Sequence, residues 1–156
     1  MSPPPSTTPE QPRSSVSTSI RCEPAIRGVT FRDDAMQDLR RLAERSQPVL
    51  LEVFRRLKTL DAGTLVPVSL HEDAKTGDLT DCGKIVVTVE GEPEHRIVVR
   101  DLGDAAFEVS EVIAVEDRTG DLPYLLAGLR LGRLDDPVRR SEAQRRVARI
   151  RQLRDR

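Results

Sequence analysis

The chain has 156 residues, 33% of them charged and 3% aromatic, with a formal net charge of −1. That length suits one domain, since domains commonly hold about 100–150 residues. Two cysteines sixty positions apart, Cys22 and Cys82, argue against a disulfide framework or a cysteine-built zinc site. No apolar run approaches the ~20 residues of a membrane span, and no charged-then-apolar leader opens the chain, so a soluble protein of a reduced cytoplasmic compartment is expected.

The small net charge hides an asymmetry. Residues 28–136 hold 14 Lys and Arg against 22 Asp and Glu, a net −8, whereas residues 137–156 hold 8 Arg against 2 acids, a net +6. A general nucleic-acid coat carries a dominant basic face. Any RNA or DNA contact is therefore expected to be local, or to use the basic tail, which would then carry the salt dependence of binding.

Residues 1–27 are rich in Pro, Ser and Thr and poor in large apolar side chains, and are expected to form a disordered arm. GVTFRD alternates Val29 and Phe31 against Thr30 and Arg32, a short strand. Asp33 or Asp34 is placed to cap a helix with Ala35, Leu39, Leu42 and Ala43 on one face. Pro48 suits the first turn of a second helix, whose stripe is Leu50, Val53, Phe54, Leu57 and Leu60, and Gly63 suits its end. Residues 65–83 read as loop.

Three strands are predicted next, over about 84–89, 95–101 and 107–116. The short connections at Gly91–Pro93 and Gly103–Asp104 imply an antiparallel meander. Phe107, Val109, Ile113 and Val115 are assigned to one face of the third strand. Asp121 then caps a helix with Pro123 in its first turn, running to about Gly132. Asp136-Pro137 opens a last helix over 137–154, with a thin apolar face (Ala143, Val147, Ile150) that permits docking and many arginines around it. The fold class is α+β: a helical hairpin packed on a small, mainly antiparallel sheet, over residues 28–136, followed by the Arg-rich helix of residues 137–156.

Lys84, Arg96, Arg118 and Tyr124 are the candidate functional residues, gathered by strand spacing at one end of the sheet. Cleaving RNA requires a deprotonated 2′-hydroxyl, a stabilised phosphorane and a protonated 5′-oxygen. Fixed cations supply the second of these, and arginine forks suit phosphate oxygens. Tyr124 can relay a proton or stack on a base. The same residues have plainer uses: strand-end arginines commonly pair with acids, and a tyrosine there commonly packs a helix on a sheet. His95 is expected to be an exposed strand residue. His71 sits in an acidic loop (HEDAKTGD), but one histidine among scattered acids has no recognised metal-ligand spacing, so no metal or cofactor is expected.

The segment from Val29 to Leu134 resembles the RelE/ParE superfamily of type II toxin–antitoxin toxins. The resemblance lies in FRDDAMQDLRRL, the hairpin closing on LKTL, the DCGKI and HRIVVRDL strands, and VIAVEDRTGDLPYLLAGLRL. It implies a small α/β fold. In the RelE branch it further implies a metal-independent endoribonuclease that cuts messenger RNA in the ribosomal A site and is held by a cognate antitoxin covering the sheet and its basic end. In the ParE branch it implies a non-enzymatic inhibitor of a protein such as DNA gyrase, and a degenerate fold acting only in binding is the third reading. By position, Lys84 and Arg118 are implied in proton transfer, Arg96 in steadying the phosphorane and Tyr124 in positioning the nucleotide, a set that favours the RelE branch. Val86 stands where a second basic residue is common in that branch.

Overall fold

The computed structural model describes residues 28–102 and 110–155. The expected arm over 1–27 with Cys22, the Gly103–Asp104 turn, and Phe107 and Val109 lie outside them. In chain order the elements are strand β1 (Val29–Phe31), helices α1 (Asp33–Arg45) and α2 (Gln47–Asp61), and three two-residue strands, β2 (Val68–Ser69), β3 (Glu72–Asp73) and β4 (Gly77–Asp78). Strands β5 (Cys82–Val87), β6 (His95–Asp101) and β7 (Ser110–Asp117) follow, then a 3-10 turn (Thr119–Asp121) and helices α3 (Leu122–Arg130) and α4 (Pro137–Arg154). The main sheet runs β1-β7-β6-β5-β2, antiparallel except for the parallel β1–β7 pair. The fold is α+β, as expected. The segment read as loop contributes β2 to the sheet and a separate β3–β4 ladder.

Helices cover both faces of the sheet. On one face, Ala35, Leu39 and Leu42 of α1 and Val49, Val53, Leu57 and Leu60 of α2 pack against Ile85, Val87, Ile97, Val99, Val112 and Val115. On the other, Leu122, Leu125, Leu126 and Ala127 of α3, with Ala143 and Val147 of α4, pack against Val98, Ile113 and Ala114. A partner expected to cover the sheet therefore meets helices on its faces.

Several local expectations are corrected. Asp33 and Asp34 do not cap α1; Arg32 holds the N-cap position without a side-chain bond, and the two acids lie in the first turn, where the helix dipole favours them. The cap of α2 is Ser46, whose Oγ accepts from the Val49 amide at 3.3 Å and donates to Glu92 at 2.9 Å. Phe54 is exposed, and Val49 takes the buried place on α2. Ile113 and Val115 do not share a face. The β6–β7 register shifts between Val98 and Val99, so two residues of β7, Ile113 and Ala114, turn successively to the α3 side before alternation resumes at Val115.

Because β1 is only three residues long, its ladder with β7 stops at Val112. Side chains satisfy the flank of β7 beyond it. The Asp38 carboxylate from α1 accepts the Val115 amide at 3.0 Å, and Arg130 from the end of α3 donates to the Ile113 carbonyl at 3.0 Å. Arg130 also grips both oxygens of Asp38, at 2.6 and 2.9 Å. This exchange keeps buried backbone groups paired where no strand provides partners.

Further along β7, Glu116 and Asp117 are buried. Helix α4 begins as expected, with the Asp136 carboxylate accepting the Val138 amide at 2.9 Å. It docks through Ala143, Val147 and Ile150. Its last turn delivers Arg154, which donates to Glu116 at 2.8 Å and Asp117 at 2.9 Å, with Arg45 of α1 3.4 Å from Asp117. Burial by itself would raise the Asp117 carboxyl, but hydrogen bonds from Thr119 and Arg154 and the Arg154 charge outweigh it and bring it down to about 2. The basic helix is thus partly an internal counter-charge.

Candidate functional site

The expected site residues come from four elements. Lys84 lies on β5 opposite Val98, and Arg96 lies on β6 opposite Val86 and Glu116. Lys84 and Arg96 thereby occupy the sheet face that carries α3. Arg118 follows the end of β7, and its amide is fixed to the Glu94 carbonyl at 2.9 Å. Gly120 and Asp121 then take successive left-handed conformations, φ 59° and 61°, which turn the chain sharply into α3. Asp121 holds the N-cap position without making the expected side-chain bond. One turn into α3, the Tyr124 hydroxyl accepts from Arg96 Nη1 at 2.7 Å.

At the centre stands Glu94, which sequence reasoning missed. Its Oε2 accepts from Arg96 Nε at 2.7 Å and also from Arg96 Nη2, and Arg118 Nη1 lies 3.9 Å from the same oxygen. The hydrogen bond from Arg96, then the charges of Arg96, Arg118 and Lys84, lower the Glu94 carboxyl despite its partial burial. All three expected cations therefore act on one carboxylate. Proximity in sequence, two positions before Arg96, was the available signal. In a chain with 26 acids it singled out nothing.

The four residues are not equivalent. The Arg96 side chain is 11% exposed and its fork is occupied by Glu94 and Tyr124, whereas Arg118 is 63% exposed. Burial works against the Arg96 charge, but the Glu94 and Tyr124 interactions prevail and hold its pKa up. Burial raises the Tyr124 phenol, as does the Asp121 charge, against the opposing pull of Arg96 and Arg118. Tyr124 is therefore a neutral hydroxyl at ordinary pH.

Tyr124 also borders a cleft of about 220 Å³ floored by Leu70, Leu79 and Leu125, with His71, Lys75 and Asp121 on its rim. The cleft is held by a close approach: Gly128 of α3 lies against the Thr76 carbonyl, where any Cβ would clash with backbone. His95 is a correction. It is 3% exposed rather than on the surface, with its Nδ1 2.7 Å from the Pro93 carbonyl, and it does not join the cluster. Among the described residues no group of three or more His, Cys, Asp or Glu is arranged to hold a metal ion, and no helix is long and apolar enough to cross a membrane.

Fold and site together define a small α+β protein with a cationic cluster at one end of its sheet. No protein-family model matches the chain, and no curated protein does. Among solved structures it is similar to a double arginine-to-alanine mutant of the E. coli toxin RelE in the free state. The two are 20% identical over 64% of this chain and 90% of that one, with a TM-score of 0.47.

Proposed function

We propose that the chain is a RelE-like toxin, an endoribonuclease that cuts messenger RNA at the ribosome without a metal and is neutralised by a cognate antitoxin. The observation that carries this reading is the convergence of Lys84, Arg96, Arg118 and Tyr124, from β5, β6, the end of β7 and α3, about one position. Three cations gathered about one carboxylate leave a net positive seat, which suits the negative charge of a phosphorane. Charges held in place before the reaction stabilise such a species without reorganising. Lys84 and the exposed Arg118 face the phosphate, and Tyr124, at the mouth of the apolar cleft, offers its ring to a base.

A second reading, a ParE-like inhibitor of a protein target or a non-catalytic binding module, is favoured by one observation: Glu94 and Tyr124 already occupy the Arg96 fork. Induced expression without antitoxin separates the readings, comparing wild type with Arg96→Ala/Arg118→Ala and mapping messenger RNA 5′ ends. Growth arrest with new cleavage sites, both abolished in the double variant, supports the endoribonuclease. Arrest with intact messages, unaffected by the substitutions, transfers the function to a protein target. No arrest at verified soluble expression leaves the binding module.

A further inference from the structure

We infer that Glu94 is the general base of this site, taking the proton from the ribose 2′-hydroxyl, and that Arg96 is the residue positioning it. This rests on the endoribonuclease reading. The two oxygens of Glu94 are treated differently. Both Arg96 bonds and the Arg118 contact converge on Oε2, and among the described residues no hydrogen bond reaches Oε1, on a side chain that is 32% exposed. The backbone is held as well, since the Glu94 carbonyl accepts the Arg118 amide. One oxygen is anchored and the other is open to an incoming group, so the carboxylate has the fixed geometry and free lone pair of a positioned base, and its placement has to offset the basicity that the surrounding cations take from it. A carboxylate that merely filled the seat of a phosphate would be expected to spend both oxygens on the surrounding cations.

The same geometry divides the cations. Arg96 has donated Nε and Nη2 to Glu94 and Nη1 to Tyr124, so its work is to hold the base. Lys84 and Arg118 are left for the phosphate. The step balances as follows. Glu94 Oε1 takes the 2′-hydroxyl proton, the 2′-oxygen bonds to phosphorus, and the bond from phosphorus to the 5′-oxygen breaks. The Lys84 ammonium protonates the departing 5′-oxygen. The products are a 2′,3′-cyclic phosphate and a 5′-hydroxyl, and solvent returns the proton from Glu94 to Lys84. A substrate lacking the scissile 2′-hydroxyl is inert.

The test uses the full chain and 70S ribosomes programmed with an end-labelled synthetic message, with anisotropy of a labelled RNA as the binding readout. Glu94→Gln keeps the side-chain shape and is expected to slow single-turnover cleavage by about 10²–10⁴-fold, with RNA binding unchanged or tighter. Glu94→Asp is expected to retain an intermediate rate, and Glu94→Gln/Arg96→Ala to be no slower than Glu94→Gln, because the two act as one unit. Melting curves of each variant separate a folding defect from a chemical one. Cleavage by Glu94→Gln at or above the wild-type rate would show Glu94 to be an anion blocking the site, overturning the inference while the endoribonuclease reading stands. A wild-type chain that cuts no message removes both.

Discussion

Substituting Asp38 tests whether side chains hold the flank of β7. Asp38 has a fully buried carboxylate that accepts the Val115 amide at 3.0 Å and two Arg130 nitrogens at 2.6 and 2.9 Å. Asp38→Ala leaves a buried amide unpaired, at roughly 1–3 kcal/mol. It also strands the Arg130 guanidinium, which is 11% exposed and keeps the Ile113 carbonyl with only a 4.0 Å contact to Asp34. Breaking a buried ion pair from one side costs about 3–5 kcal/mol. These costs overlap, because Arg130 can relax toward solvent, so the expected total is about 3–5 kcal/mol. The contact with Arg41, itself 46% exposed, adds little. The assay is urea unfolding followed by circular dichroism, with the midpoint and slope fitted together. Adding Arg130→Met to Asp38→Ala removes the stranded charge and is expected to recover at least about 1 kcal/mol. A loss below about 1 kcal/mol for Asp38→Ala, or a double variant less stable than the single, would refute the reasoning.

Stability should also depend on acid. Asp117 has its carboxyl lowered to about 2, below the unfolded value of about 4, so its contribution is complete above pH ~5 and is lost as pH falls toward 2. That contribution is about 2 kcal/mol, and a pH series of unfolding curves should show it shrinking in Arg154→Met, which removes the main charge partner. Burial first, then the Asp81 charge and hydrogen bond, push the Cys82 thiol up to about 12. In a Cys22→Ser background, alkylation at pH 8 should therefore follow global unfolding; rapid labelling of the native chain would contradict this. Finally, Arg145, Arg146 and Arg149 lie exposed on α4. Changing all three to Gln should reduce the log–log salt slope of single-stranded RNA binding by about 2 if each meets a phosphate, and an unchanged slope would exclude the outer face of α4. Deleting residues 137–156 would instead strip Ala143 and Val147 from the core and Arg154 from two buried acids.

Local signals in the sequence were faithful where the physics is local. Alternation marked β1, a 3.6-residue period marked α1, and the Asp136-Pro137 pair fixed the start of α4 to the residue. What failed was decided at a distance. The bulge that turns Ile113 away from Val115 depends on pairing with β6, and the burial of Asp38 and His95 depends on what three-residue β1 leaves uncovered and on how the sheet stacks. At the candidate site, residue types and strand spacing anticipated that Lys84, Arg96, Arg118 and Tyr124 would lie together at one end of the sheet. They did not reveal that Glu94 binds the arginine expected to bind phosphate, because nothing local distinguishes that acid from its neighbours Glu90 and Glu92.

The clasp on β7 also imposes an order in time. Glu116 is synthesised 38 residues ahead of the Arg154 that neutralises it, and Asp117 37 residues ahead. At about 5–20 residues per second, that interval is roughly 2–8 s. Until it passes, the two acids have Arg45 of α1 as an available counter-charge but not Arg154, so the end of β7 and the turn that aims Tyr124 lack the arginine that closes their clasp. A nascent chain would carry every residue of the cluster well before it carried the brace that holds their strand in place.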